Sequence, residues 1–333
     1  MLFGTLGRET RLGFALSPRR NPGLSLSRTA LIKSAVLARS LTYFPRLFPG
    51  ENRNLDALRA LENCYVGRYA LVIAGGPSSS LIDYQKVEEL QRLGSLHVVV
   101  INRFFASKIG ATITPDFYLL SDPGSGPHGH LGSWREEIFD RYPHTTLFVP
   151  SHWSYADENE FRFASQVIAF ENRSLEGWGR GFSPVKLRRY LGLSALSALA
   201  VASFLGYSKI GIIGLDATEA FTLSVDLDNR MFLAPNHHEG AAGTGDTETN
   251  LISRRRGDGG KYLGNYRNAS DLFFGQATLH DHLDRFFGHN EAFVNLSESS
   301  VVTSFQRQTA DDFFHEIQDR NREKLLRSEH RPA

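Results

Sequence analysis

The chain has 333 residues, a net charge of +1, 41% hydrophobic and 22% charged residues. That length can bury a proper core, as one large α/β domain with an insertion or as two average domains, and the balanced charge excludes a global field for nucleic acid. Cys64 is the single cysteine, which excludes intramolecular disulfides and cysteine-rich metal sites and fits a reducing compartment.

Residues 1–53 read as a basic N-terminal extension. Within the first fifty of these, Arg8, Arg11, Arg19, Arg20, Arg28, Lys33, Arg39 and Arg46 face a single acid, Glu9. Leu31–Phe48 mixes basic and apolar residues, which suits a poorly ordered extension or a peripheral contact with an anionic membrane. No signal-peptide pattern and no run of about twenty apolar residues follows, so a cytoplasmic location is expected, with the membrane contact left open.

From Asn54 the texture is globular. Asn54–Cys64 predicts a helix, with Leu55, Leu58 and Leu61 on one face. Seven apolar runs predict strands: Tyr69–Ala74, His97–Ile101, Phe117–Ser121, Thr145–Val149, Gln166–Phe170, Lys209–Ile213 and Ala292–Leu296. Most are continuous instead of alternating, as in strands covered on both faces of a parallel sheet. Helical patterns at Asp83–Leu93, Trp134–Arg141, Ser194–Leu205 and Ala277–Phe287 separate several of them. The alternation predicts an α/β, Rossmann-like, doubly wound and mostly parallel sheet of about seven strands. Residues 54–307 form this expected catalytic domain, residues 217–261 a lid inserted in it, and residues 308–333 a charged C-terminal helix.

Ligands of such sheets sit beyond the C-terminal strand ends. The first strand runs into Gly75-Gly76-Pro77-Ser78, the second into Asn102-Arg103, the third into Ser121-Asp122-Pro123 and the sixth into Gly214-Leu215-Asp216. Four ends delivering small, amide or carboxylate residues predict a shared pocket. Glycine lets backbone N–H groups approach an anion, and a helix start after Gly76-Pro77 would add its dipole. Ser194 opens a helix of small residues, preceded by Arg188 and Arg189, and is a second candidate anion site.

The insertion carries Asp226 and Asp228 in an Asp-x-Asp pattern, then His237, His238, a glycine-rich run and Arg254–Arg256. The adjacent histidines lack a third ligand at metal spacing, and Asp226 and Asp228 lie away from the strand ends, so no metal site is expected. His128, His130, His280 and His282 are ordinary surface or loop histidines by default. A P-loop, a Gly-x-Ser-x-Gly elbow and a Gly-x-Gly-x-x-Gly turn are all absent, which weighs against P-loop, hydrolase and dehydrogenase chemistry.

Six pieces in order then resemble one family. Val72–Tyr84, Ile101–Phe105, Ser121–Pro123, Ala200–Asp216, Leu233–Asn236 and Tyr262–Asn265 look like the motifs of the bacterial sialyltransferases of glycosyltransferase family 42, the Cst type. The resemblance implies a CMP-sialic acid donor bound without cofactor or metal, and a glycan acceptor. It places Gly75, Gly76, Pro77 and Ser78 on the nucleotide and Asn102 and Arg103 on the donor. Asp122 falls at a donor-binding position too. Ser194, Gly214, Leu215 and Asp216 would hold the cytidine, and Tyr262 would stabilise the departing phosphate. The chain departs from the pattern twice. The family's general base position holds Asn265, whose amide takes no proton at neutral pH. His237 and His238 head the substitutes, followed by His128 and Asp122. The second departure is Asp122 itself, where the family has asparagine. Pro115-Asp116-Phe117 through Asp122 also resembles the related motility-accessory-factor glycosyltransferases and 6-hydroxymethylpterin pyrophosphokinase-like proteins. That resemblance implies magnesium-dependent diphosphate transfer as the rival chemistry. A nucleotide-sugar-binding relic without a base is the non-enzymatic rival. Nucleic-acid binding is not expected, and a homo-oligomer is left open.

Overall fold

A computed structural model describes residues 55–122, 134–151, 166–171, 194–218 and 290–329, together with short pieces at 153, 183–185, 221, 223–225, 231–233, 250–251, 276, 279–280, 283–284 and 287–288. In chain order these give α1 (Leu55–Ala60), β1 (Tyr69–Ile73), α2 (Tyr84–Arg92), β2 (Leu96–Ile101), β3 (Phe117–Leu119), α3 (Trp134–Arg141), β4 (Thr146–Pro150) and β5 (Val167–Phe170). There follow α4 (Ser194–Phe204), β6 (Lys209–Ile213), β7 (Leu223–Val225), β8 (Met231–Leu233), β9 (Asn250–Leu251), β10 (Phe293–Asn295), β11 (Gln306–Arg307) and α5 (Ala310–Glu329). The basic extension lies outside the described residues.

Eight strands form one sheet in the order β11-β10-β6-β1-β2-β3-β4-β5, every neighbouring pair parallel. The chain steps outward from β1 to β5, returns across the sheet to β6 beside β1, and then steps the other way. Reversal of strand order is what makes the sheet doubly wound, because right-handed crossovers must then use opposite faces. The core records this. Ala70, Val72 and Ala74 of the first strand segment pack with Leu58 of α1 and with α4, while Tyr69, Leu71 and Ile73 pack with α2, α3 and α5. All five residues of β1 are buried, which explains its unbroken apolar run. α4 lies across β1, β2 and β3 with Ala195–Ala202 buried throughout, and its small side chains let it sit close to the sheet.

The seven expected strands are all present, and the eighth, β11, is a two-residue addition at the edge. Part of the insertion is itself folded: β7, β8 and β9 make a three-stranded antiparallel sheet. Asp226 and Asp228 lie outside the described residues. The charged C-terminal helix docks on the sheet, with Phe313, Phe314 and Ile317 fully buried on its inner face. Among the described residues no helix is long and apolar enough to cross a membrane.

Candidate active site

The Gly-Pro-Ser turn is held by the strand beside it. β1 and β6 remain bonded past their ends, through Ala74 N to Ile213 O at 2.8 Å and Gly76 N to Gly214 O at 2.7 Å. Only glycine fits this junction. Gly214 has φ +77°, and a Cβ there would stand 2.3 Å from the Ala74 carbonyl oxygen. A Cβ on Gly76 would stand 2.4 Å from the Gly214 carbonyl oxygen and 2.5 Å from Asp216 Oδ2. Asp216 is 3% exposed, and its carboxylate accepts from Ser78 N at 2.9 Å and Ser78 Oγ at 2.5 Å. Ser297, just past β10, shares a hydrogen bond of 2.7 Å with Ser78 Oγ. Gly214 N donates to both hydroxyls, at 3.0 and 3.2 Å. Ser300 Oγ donates to Leu215 O, and Arg307 donates to the carbonyls of Ser297, Glu298 and Ser300. The ends of β1, β6 and β10 thus form one bracket.

Two expectations change here. Ser78 and Asp216 are buried and bonded to each other, so they shape the turn from within; the half-buried Gly75, Gly76 and Pro77 are what the turn presents. The helix dipole expected behind this turn is also missing. Pro77–Leu81 is a short 3-10 turn, and α2 starts only at Tyr84, where the Asp83 carboxylate already caps Gln85 N and Lys86 N. The Tyr84 hydroxyl donates to Ser79 O beneath the turn, and burial pushes its pKa well above the usual value.

A second bracket joins β2, β3 and α4. Asn102 takes a left-handed φ of +45°, a conformation asparagine tolerates better than most residues. Its Nδ2 donates to Ser194 Oγ at 2.8 Å, and its Oδ1 accepts from Ser121 N and Asp122 N, both at 3.3 Å. Ser121 Oγ and Ser194 Oγ are 2.7 Å apart, and Tyr118 OH donates to Asn102 O while accepting from Phe105 N at 3.1 Å. The sequence-predicted Asn102, Asp122 and Ser194 therefore meet at one point, above β3 and above β2, the strand about 4.8 Å from the Gly-Pro-Ser turn's own strand. Arg103 turns elsewhere: its guanidinium lies over the Trp134 ring at 5.8 Å.

Tyr262, Asn265, His237 and His238 lie outside the described residues, as do His128, Arg188, Arg189 and Arg254–Arg256. Among the described residues no group of three or more His, Cys, Asp or Glu is placed to hold a metal ion. Ser297 and Ser300 were missed by the sequence reading, although the strand-end rule applied to Ala292–Leu296 points straight at Ser297. Glu171, 3% exposed just past β5, accepts from Ser151 Oγ at 3.2 Å and was missed as well.

No protein-family model and no curated protein sequence matches the chain. Among solved structures it is similar to a MAf glycosyltransferase from Magnetospirillum magneticum AMB-1, at 14% identity and a TM-score of 0.41. That likeness covers 81% of this chain and 42% of the other, so the chain spans well under half of that protein's length.

Proposed function

We propose that the protein is an inverting, metal-independent glycosyltransferase of sialyltransferase-like chemistry. It would transfer sialic or a related nonulosonic acid from a CMP-activated donor to a glycan acceptor. The observation that carries this reading is the meeting of five strand ends, those of β1, β2, β3, β6 and β10, and the start of α4 on one edge of a doubly wound sheet, cross-linked into two adjoining brackets. Such an edge, at the point where strand order reverses beside β1, is where these sheets bind nucleotides. In this reading the backbone of Gly75–Pro77 faces the donor phosphate. Asn102, Ser121 and Ser194 supply hydroxyl and amide contacts to the donor, and Gly214–Asp216 shapes the floor.

An acceptor hydroxyl attacks the anomeric carbon as the bond to the phosphate oxygen breaks, inverting that carbon. The hydroxyl proton goes to a base, for which His237 and His238 are the candidates, and CMP leaves with its charge stabilised by Tyr262. Magnesium-dependent diphosphate transfer is the second reading, favoured by an acidic residue, Asp122, whose backbone N–H belongs to the Asn102 bracket. Titrating CMP and ATP, each with and without magnesium, separates the two. Metal-independent CMP binding is the expected result, and ATP binding that requires magnesium would overturn the sialyltransferase reading. Hydrolysis of the CMP-activated donor then distinguishes an enzyme from a binding relic, with Tyr262→Phe expected to lower its rate.

A further inference from the structure

We infer that Phe221 is the stacking platform for the nucleobase, an inference that rests on the nucleotide reading above. Among the described residues the exposed large apolar side chains are Val66, Leu81, Leu93, Phe221 and Leu326. Phe221 is the aromatic one, and it is 74% exposed. It follows Asp216 by five residues, so it leaves β6 at the same edge of the sheet as the Gly-Pro-Ser turn. Five residues reach at most about 17 Å, and a turn closed by Phe221 N donating to Thr218 O at 2.9 Å shortens that.

The backbone between them is constrained. Ala217 has φ +55°, a left-handed conformation that a residue with a Cβ rarely adopts. The preceding residue is anchored on both sides, since Asp216 holds Ser78 through its carboxylate and accepts Val301 N at its carbonyl. A strained residue between a fixed anchor and a tight turn sets the direction of departure, and that departure delivers a bare phenyl ring to water. Every nucleobase has a flat face that such a ring can cover, whereas the ribose and phosphate have none. β6 adjoins β1, so the segment that carries the ring leaves the sheet on the side of the Gly-Pro-Ser turn and away from β4 and β5.

The test compares CMP with ribose 5-phosphate, which keeps the sugar and phosphate and lacks the base. For wild-type protein, calorimetry is expected to show tighter binding of CMP. Phe221→Ala should weaken CMP about tenfold and leave ribose 5-phosphate unchanged, while Phe221→Trp should keep wild-type CMP affinity. Leu93→Ala, at another exposed apolar residue, between α2 and β2 at the far edge, should change neither. If Phe221→Ala binds CMP as the wild type does, the stacking inference is overturned and the nucleotide reading stands. Equal weakening of both ligands would also overturn it, because the ring would then be holding the loop. If wild-type protein binds neither CMP nor AMP, the nucleotide reading fails and the inference fails with it.

Discussion

At the scale of single residues, the candidate site is held by a few buried contacts with no slack. Asp216 accepts two hydrogen bonds from Ser78 in a dry environment, and removing that acceptor leaves the Ser78 N–H unmatched and Ser78 Oγ with Ser297 Oγ alone to donate to. Asp216→Ala is expected to cost about 2–4 kcal/mol in urea unfolding, and a loss below about 0.5 kcal/mol would show that the bracket is not held this way. Gly214→Ala forces a left-handed alanine, about 1–2 kcal/mol by itself, and adds the collision with the Ala74 carbonyl. Its melting temperature should fall further than that of Gly94→Ala, where φ is also positive and nothing lies within 4 Å. The two variants share the backbone penalty, so the difference between them isolates the collision.

At the scale of elements, caps and clamps decide how rigidly the edge is built. Asp83→Ala removes the cap of α2 and should cost about 1 kcal/mol, read as a lower unfolding midpoint. α5 is fastened by Glu316, which accepts from Lys209, from Tyr69 OH at 3.2 Å and from Gln308 Nε2 at 3.3 Å. Burial pushes the Glu316 carboxyl up, but the bonds from Lys209 and Gln308, the Lys209 charge and Tyr69 outweigh it and hold it below 4.5. Its contribution is therefore present above about pH 4.5 and is lost as the pH falls through the lower folded value, a slope that Glu316→Gln should flatten. The elements themselves were largely legible in the sequence. Tyr69–Ile73 and Lys209–Ile213 are buried on both faces, so their apolar runs name them as parallel strands. β7, β8, β9 and β11 were not legible, because each is two or three residues long and, unlike the equally short β3 and β10, stands outside the alternation of apolar runs and helical patterns. For the site, strand ends gave the addresses of Ser78, Asn102 and Asp216. Orientation could not be read the same way: that Asp216 faces Ser78, and that Arg103 faces Trp134, depends on contacts with residues distant in sequence.

On the scale of the whole molecule, the opposite edge of the sheet carries an aromatic cluster with a titrating centre. The His97 ring meets Tyr65 and Phe117 edge-on, at 4.9 and 5.9 Å between centroids, and its Nδ1 lies 2.7 Å from Tyr207 OH. Burial lowers the His97 pKa below the usual 6.5, with Asp116 opposing that shift and the Arg68 guanidinium adding to it. The unfolded chain then takes up a proton at a higher pH than the folded one. Stability is intact above about pH 6.5 and declines as the pH drops from there toward the folded value. Unfolding midpoints followed across that range should show the decline in wild type and a flatter line in His97→Gln. An unchanged slope would assign the acid sensitivity to other groups.

The pairing of β1 with β6 has a consequence for how the molecule is made. Residues 69–73 find half of their neighbours only when residues 209–213 arrive, and the Ser78–Asp216 contact spans 138 positions. During synthesis β1 is thus an open, wholly apolar edge for on the order of ten seconds, an invitation to pair with another nascent chain. A fragment ending at Gly206 should associate in solution while the full chain does not do so through this edge. This edge of the sheet is accordingly among the last parts of the molecule to come into being, and its slow closure should set the pace of refolding.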